Sequence, residues 1–131
     1  MIGRKFISSV IVCLLWVAGP TFAHHAGQNF DRAHPITVSG TVTAYVYTNP
    51  HVRIDFNVTE PNGTISKWSA EMGPPHGMYR AGWNRESLKP GDPITVKGFP
   101  SKDGKKWLDT LNLVGPRGLV LNIGPRKPEG K

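Results

Sequence analysis

Cysteine is nearly absent from this sequence: Cys13 is the only one among 131 residues, and it lies inside the apolar stretch near the start of the chain. If that stretch is removed during export, the domain that remains has no disulfide bond and no thiolate to offer a metal ion. Its stability must then come from a hydrophobic core and hydrogen bonds. Because Cys13 lies within the apolar stretch and not at its end, a lipid-modified cysteine is not expected there.

Acidic residues are also scarce. The chain has 9 Asp and Glu against 16 Lys and Arg, which gives a formal net charge of +7 at pH 7. Two of the positive charges, Arg4 and Lys5, belong to the N-terminal stretch. The excess that remains favours anionic partners, but it is also an ordinary way for a protein to stay soluble.

No apolar run is long enough to span a bilayer. The N-terminal run covers residues 6–17, whereas a transmembrane helix needs about 20 apolar residues. The run follows the basic pair Arg4 and Lys5 and precedes small residues that end at Ala23, as in a secretory signal. We therefore predict a signal peptide over 1–23, cleavage after Ala23, a periplasmic location and no stable membrane anchor in the mature protein.

Patterns that mark most enzyme active sites are missing as well. The sequence has no serine or cysteine nucleophile motif, no glycine-rich phosphate loop and no pair of carboxylates suited to acid–base catalysis. The sequence therefore does not indicate an enzyme, and we expect a binding function.

The strongest positive signal is an alternation of apolar and polar residues over 36–47, which predicts a half-buried strand. Gly40 in its middle predicts a bend or a bulge. We expect the apolar set to face the core and the polar set, with two tyrosines, to face outward. The apolar set is Ile36, Val38, Val42, Ala44 and Val46, and the tyrosines are Tyr45 and Tyr47.

The rest of the chain reads as further short strands, joined by turns rich in proline, glycine and asparagine. A short helix is expected to begin at Pro75 and end at Gly82. Three strands, a helix and two or three more strands predict an all-β fold: a small OB-like barrel of five to six strands, with one short helix between strands 3 and 4. We assign the barrel to 36–124, a lead-in to 24–35 and a flexible tail to 125–131.

Six short motifs, taken in order, resemble those of an uncharacterised family of small exported bacterial proteins with an OB-like domain. They are His24-His25, Thr48-Asn49-Pro50-His51, Trp68 with Glu71, Gly82-Trp83, Leu88-Lys89-Pro90-Gly91-Asp92 and Lys102-Asp103-Gly104. The resemblance covers most of the predicted mature chain and implies a periplasmic OB-like domain with no established activity. Members of that family often carry serine where this chain has Ala26, and their short helix lacks His76.

The histidine pair after the predicted cleavage site suggests a metal site. A mature N-terminal His24 offers its α-amine and its ring nitrogen, which can close a chelate ring on one ion. A second imidazole then completes a nitrogen-rich site suited to Cu(II). His51 is the preferred partner, and His25 is an auxiliary ligand or none. The competing interpretation is that both N-terminal histidines are simply solvated.

Two weaker candidates lie near the predicted helix. Met72, His76 and Met78 combine thioether and imidazole groups that suit Cu(I), although core packing of both methionines is the simpler interpretation. Glu71 could orient a ligating histidine through a hydrogen bond, or be an exposed strand residue.

Two other partner classes compete with copper. Tyr45, Tyr47, Arg53 and Lys67 could form a basic stacking face for nucleic acid, but an exported protein rarely meets single strands, so no nucleic acid is expected. The main alternative to copper binding is a metal-free interaction module that holds another envelope protein or an anionic ligand.

Overall fold

The computed structural model describes residues 29–124. Within this range the chain forms six strands and one α-helix, and no helix there is long and apolar enough to cross a membrane. The predicted signal peptide, its cleavage site, His24, His25 and the predicted tail lie outside the described residues. The elements are β1 Ile36–Val46, β2 Arg53–Thr59, β3 Ile65–Glu71, α1 Pro75–Arg80, β4 Pro93–Pro100, β5 Trp107–Val114 and β6 Val120–Asn122.

Five of the strands close into a barrel. β1 pairs antiparallel with both β2 and β4, β2 pairs with β3, and β4 pairs with β5. A parallel pairing of β3 with the start of β5 closes the ring, while β6 adds to the end of β5 as an extra strand. The all-β, OB-like barrel with its helix between the third and fourth strands is therefore confirmed.

Strand β1 departs from a simple period of two, and this corrects one prediction. Its register with β2 shifts between Val42 and Ala44, which is a β-bulge. Beyond the bulge Tyr45 pairs with the fully buried Ile54, and both Tyr45 and Tyr47 pack against the core. The expectation that these tyrosines face outward is wrong, because an extra residue in a bulge reverses the faces of all the residues that follow.

Gly40 has a different role from the one expected. It stays in register with β4, and the bulge comes later in the strand. A β-carbon at position 40 would lie 2.3 Å from the backbone oxygen of Asn57 and 2.8 Å from the ring of Phe56. Glycine is needed here because β1 and β2 approach each other too closely for any side chain.

The interior of the barrel is apolar, and helix α1 contributes Met78 to it. The hydroxyl of Tyr47 ties the helix to β1, since it lies 2.7 Å from the carbonyl oxygen of Pro75 and 3.0 Å from that of Trp83. The core consists of Val42, Val52, Ile54, Phe56, Ala70, Met72, Met78, Trp83, Leu88, Ile94, Val96, Leu108, Leu113 and Leu121.

Candidate functional site

His51 and Glu71 form the closest imidazole–carboxylate contact among the described residues. Nδ1 of His51 lies 2.6 Å from Oε1 of Glu71, and the two side chains are 30% and 15% exposed. His51 follows the cis peptide bond between Asn49 and Pro50 and directly precedes the buried Val52. The pair is thus partly shielded from water but still open to it.

The backbone of β2 and β3 fixes this contact. The amide of Val52 donates to the carbonyl of Gly73, and the amide of Met72 donates to the carbonyl of Val52. These two bonds extend the β2–β3 ladder beyond the pair of Arg53 and Glu71. Since alternate residues of a strand share a face, His51 is placed diagonally across from Glu71 on the outer side of the barrel.

The contact with Glu71 involves only one of the two ring nitrogens of His51. Within residues 29–124, Nε2 of His51 makes no hydrogen bond and no ion pair. A carboxylate at Nδ1 sets the orientation and the tautomer of the ring, which is how many metal-binding histidines are held. The geometry of His51 is therefore that of an oriented ligand.

A line of polar side chains, here called the polar row, continues from this pair across the outer face. Arg53 contacts both carboxylate oxygens of Asp55, at 3.1 and 3.2 Å. The hydroxyl of Ser69 donates to Asp55 at 2.7 Å. On the other side Glu71 is the register partner of Asp109 in β5. The polar row is His51, Arg53, Asp55, Ser69, Glu71 and Asp109.

The lead-in segment reaches the polar row through Arg32. Its guanidinium lies 3.1 Å from Asp109, whose side chain is only 6% exposed, and it stacks over the ring of Phe99 at 5.2 Å. Phe30 bridges to Ser101, which fixes the segment against the end of β4. Sequence reasoning did not identify Arg32 or Asp109. The only signal was a lone carboxylate in an apolar strand, and nothing local links two residues 77 positions apart.

The remaining predicted ligands do not join the pair. Met72 and Met78 lie in the core with 0% and 2% exposure, whereas His76 is exposed on α1. Within residues 29–124 the structure therefore brings no accessible thioether to His76, and Met72 and Met78 pack in the core. Among residues 29–124, no three His, Cys, Asp or Glu side chains converge in a way that could hold a metal ion.

Tyr45 and Tyr47, the tyrosines of the possible stacking face, do not share a face with Arg53. Their rings meet edge to face at 5.9 Å between centroids. Burial, with a smaller contribution from the neighbouring Tyr47, raises the pKa of Tyr45 well above its usual value, so its phenol stays neutral. Arg53 lies on the opposite face, so the four residues do not form one surface.

Comparisons with known proteins match the chain to a family of unknown function. The sequence profile of a family of unknown function, DUF6152, matches residues 11–108. A search of curated proteins finds no significant match. Among solved structures, a small single-stranded DNA-binding protein from Streptomyces coelicolor is similar, with 18% identity and a TM-score of 0.47 over 66% of this chain and 95% of that one. A likeness of that extent says nothing about what this chain binds.

Proposed function

The chain belongs to the family of unknown function DUF6152, and we propose that it is a periplasmic copper-binding protein built on an OB-like barrel. In this proposal His24 supplies its α-amine and ring nitrogens, His51 supplies the opposing imidazole, and His25 is auxiliary. The chemistry depends on cleavage after Ala23, since only then does His24 carry a free amine. The role is to bind, carry or sense the metal.

One observation carries the proposal: His51 is held by Glu71 through Nδ1, at 2.6 Å. A solvated strand histidine needs no such partner, whereas a metal-ligating histidine usually has one on its other ring nitrogen. The arrangement leaves Nε2 for the ion. It also supports the expectation that Glu71 orients a ligating histidine and does not bind the metal itself.

The length of the lead-in is compatible with a shared site. Seven residues lie between His24 and Arg32, and the eight residue steps that join them span up to about 28 Å when extended. Arg32 contacts Asp109, which is the register partner of Glu71 on the neighbouring strand. Neighbouring strands lie about 5 Å apart, so the chain before Arg32 is long enough to bring His24 to His51.

The donor set determines the metal. An amine and two imidazoles are three nitrogen donors, a combination that suits Cu(II) in a planar arrangement better than it suits magnesium or calcium, which prefer oxygen. Cu(II) also binds more tightly than the other common divalent ions to the same nitrogen ligands. The thioethers of Met72 and Met78 are buried, so Cu(I) binding by that cluster is not part of the proposal.

Copper titration of the processed protein tests the proposal. The protein is produced with its own leader, purified after processing, and its N-terminus is established by intact mass. We expect binding of one Cu(II) per chain, weakened at least about tenfold by His24→Ala and by His51→Ala. His76→Ala is the matched control, since it removes an exposed imidazole outside the proposed site and should leave the affinity unchanged.

A second variant isolates the role of the amine. A Gly-Pro pair inserted before His24 keeps every side chain but moves the free amine away from the His24 ring, and it should weaken copper binding as much as His24→Ala does. The proline is needed because a lone glycine would place His25 third in the chain, where the amine, two backbone amides and the His25 ring could chelate Cu(II) by themselves. If the parent protein binds copper no more tightly than the variants, the copper proposal is wrong. A metal-free module that binds an envelope protein or an anionic ligand would then be the better account.

A further inference from the structure

A concave surface that is separate from the polar row lies where α1 packs against the barrel. It is an open depression of about 460 Å³, within the size range of small-molecule sites. We call it the α1 pocket. Its lining is mostly apolar, and it consists of Tyr47, Pro75, His76, Tyr79 and Arg80.

The walls of the α1 pocket are held in place by contacts outside it. The hydroxyl of Tyr47 lies within hydrogen-bond distance of the carbonyls of Pro75 and Trp83, which fixes the ring against both ends of the helical segment. Met78 anchors the helix in the core, and Pro75 starts it with a fixed backbone angle. The Tyr47 ring and the backbone of α1 are therefore held in place before any ligand binds.

Tyr79 is unusual because it is a large aromatic side chain left in water. It is 72% exposed, the highest value among the large hydrophobic residues of the described chain. Aromatic side chains cover much apolar area with few rotatable bonds, which makes an exposed one beside a depression a good surface for a flat ligand. Tyr47 provides a second ring in the same pocket.

One arginine lines the pocket and a second lies beside it. Arg80 lines it, and the guanidinium of Arg85 lies 5.6 Å from the centre of the Tyr47 ring. The ion pairs of residues 29–124 include neither arginine. The arginines of the polar row, Arg32 and Arg53, are in contrast both paired with aspartates. Two guanidinium groups that have no carboxylate partner in the described part of the chain complement an anionic ligand.

We propose that the α1 pocket binds a small aromatic carboxylate, with the flat ring of the ligand against Tyr79 and Tyr47 and the carboxylate against Arg80 and Arg85. This inference does not depend on copper. The site shares no residue with the polar row or with the proposed metal ligands.

The test uses 2-naphthoate as the probe and 2-naphthylmethanol as its neutral counterpart, added to the ¹⁵N-labelled processed protein in the presence of a copper chelator. Amide chemical shifts report both the affinity and the position of binding. We expect naphthoate to shift residues 47 and 75–85, and to bind about fivefold or more tightly than the alcohol because only the acid can pair with guanidinium.

Variants separate ring contacts from charge contacts. Tyr79→Ala and Arg80→Gln should each weaken naphthoate binding about fivefold, and both side chains are exposed, so the amide spectrum should show an intact fold. Ile65→Ala and Lys97→Gln are matched controls on β3 and β4, and should leave the affinity unchanged. Equal binding of acid and alcohol, shifts centred on the polar row, or unchanged affinity in both pocket variants would each overturn the proposal.

Discussion

The inner and outer faces of β2 and β3 are built from alternating residues of the same two strands, yet different forces hold them. The inner face is apolar and fully buried at its centre. The outer face carries the polar row, whose side chains are mostly half-buried and joined by ion pairs and hydrogen bonds. The inner residues are Ile54, Phe56 and Ala70, and the outer ones are Arg53, Asp55, Ser69 and Glu71. The contrast implies that fold stability and ligand binding depend on separate residues and can be changed separately.

The largest expected effect is on the inner face. Phe56→Ala removes a ring that is 1% exposed, and it should lower the free energy of unfolding by about 3–5 kcal/mol, since the core cannot close the resulting cavity. Urea denaturation followed by tryptophan fluorescence measures the loss. Asp55→Asn, at the adjacent outer position, should cost less than about 1 kcal/mol. Equal losses for the two variants would contradict the division between the faces.

The next largest loss of stability is expected at Asp109, the most buried carboxylate of the polar row. Arg32→Gln takes the guanidinium away from Asp109, a carboxylate that is 6% exposed, and should destabilise the protein by about 1–3 kcal/mol. Arg53→Gln breaks the same type of pair, but Asp55 there is 31% exposed, so solvent screening reduces the loss to less than about 1 kcal/mol. If both variants lose the same unfolding free energy, burial does not decide the strength of these ion pairs.

Much of the barrel is predictable from the sequence because its signals are local. Alternation of apolar and polar residues marks the strands, and Pro75 and Gly82 mark the ends of the helical segment. Which residues after Val42 in β1 point into the core is not predictable in the same way, since a bulge leaves no clear trace in a pattern of period two. Tyr45 and Tyr47 were assigned to the wrong face for this reason.

The candidate site is predictable only in part. His51 and Glu71 were both selected from the sequence, and the structure brings them into contact, but the metal-binding role of His51 stays a prediction. Arg32 and Asp109 were missed, because their pairing depends on the path of the lead-in over β4 and β5. His24 and His25 lie outside the described residues, and their part in the site stays a prediction.

Tyr45 and Tyr47 allow the contributions of two single hydroxyl groups to stability to be compared. The hydroxyl of Tyr47 bonds to backbone carbonyls beside α1, and Tyr47→Phe should cost about 1 kcal/mol in unfolding free energy. The hydroxyl of Tyr45 is buried and has no hydrogen-bond partner among residues 29–124, so Tyr45→Phe should leave stability unchanged or raise it slightly. Chemical denaturation of both variants under one set of conditions gives the difference, and a larger loss for Tyr45→Phe would contradict the account.

The smallest expected change in stability is at Glu71. Glu71→Gln keeps the size of the side chain and should alter the unfolding free energy by about 0.5 kcal/mol. Copper affinity should nevertheless fall about 10- to 100-fold, because the amide no longer supports the ring of His51 with a negative charge. Unchanged copper affinity would show that Glu71 does not orient a metal ligand.

The most direct test of the copper proposal is a double-mutant cycle between His24 and His51, with copper affinity measured for the processed parent protein, His24→Ala, His51→Ala and the double variant. If both residues bind one ion, the double variant should be little weaker than the worse single variant, since either change alone already dismantles the shared site. Losses that simply add would mean that the two histidines act independently, and they would contradict a single copper site joining the N-terminus to the barrel.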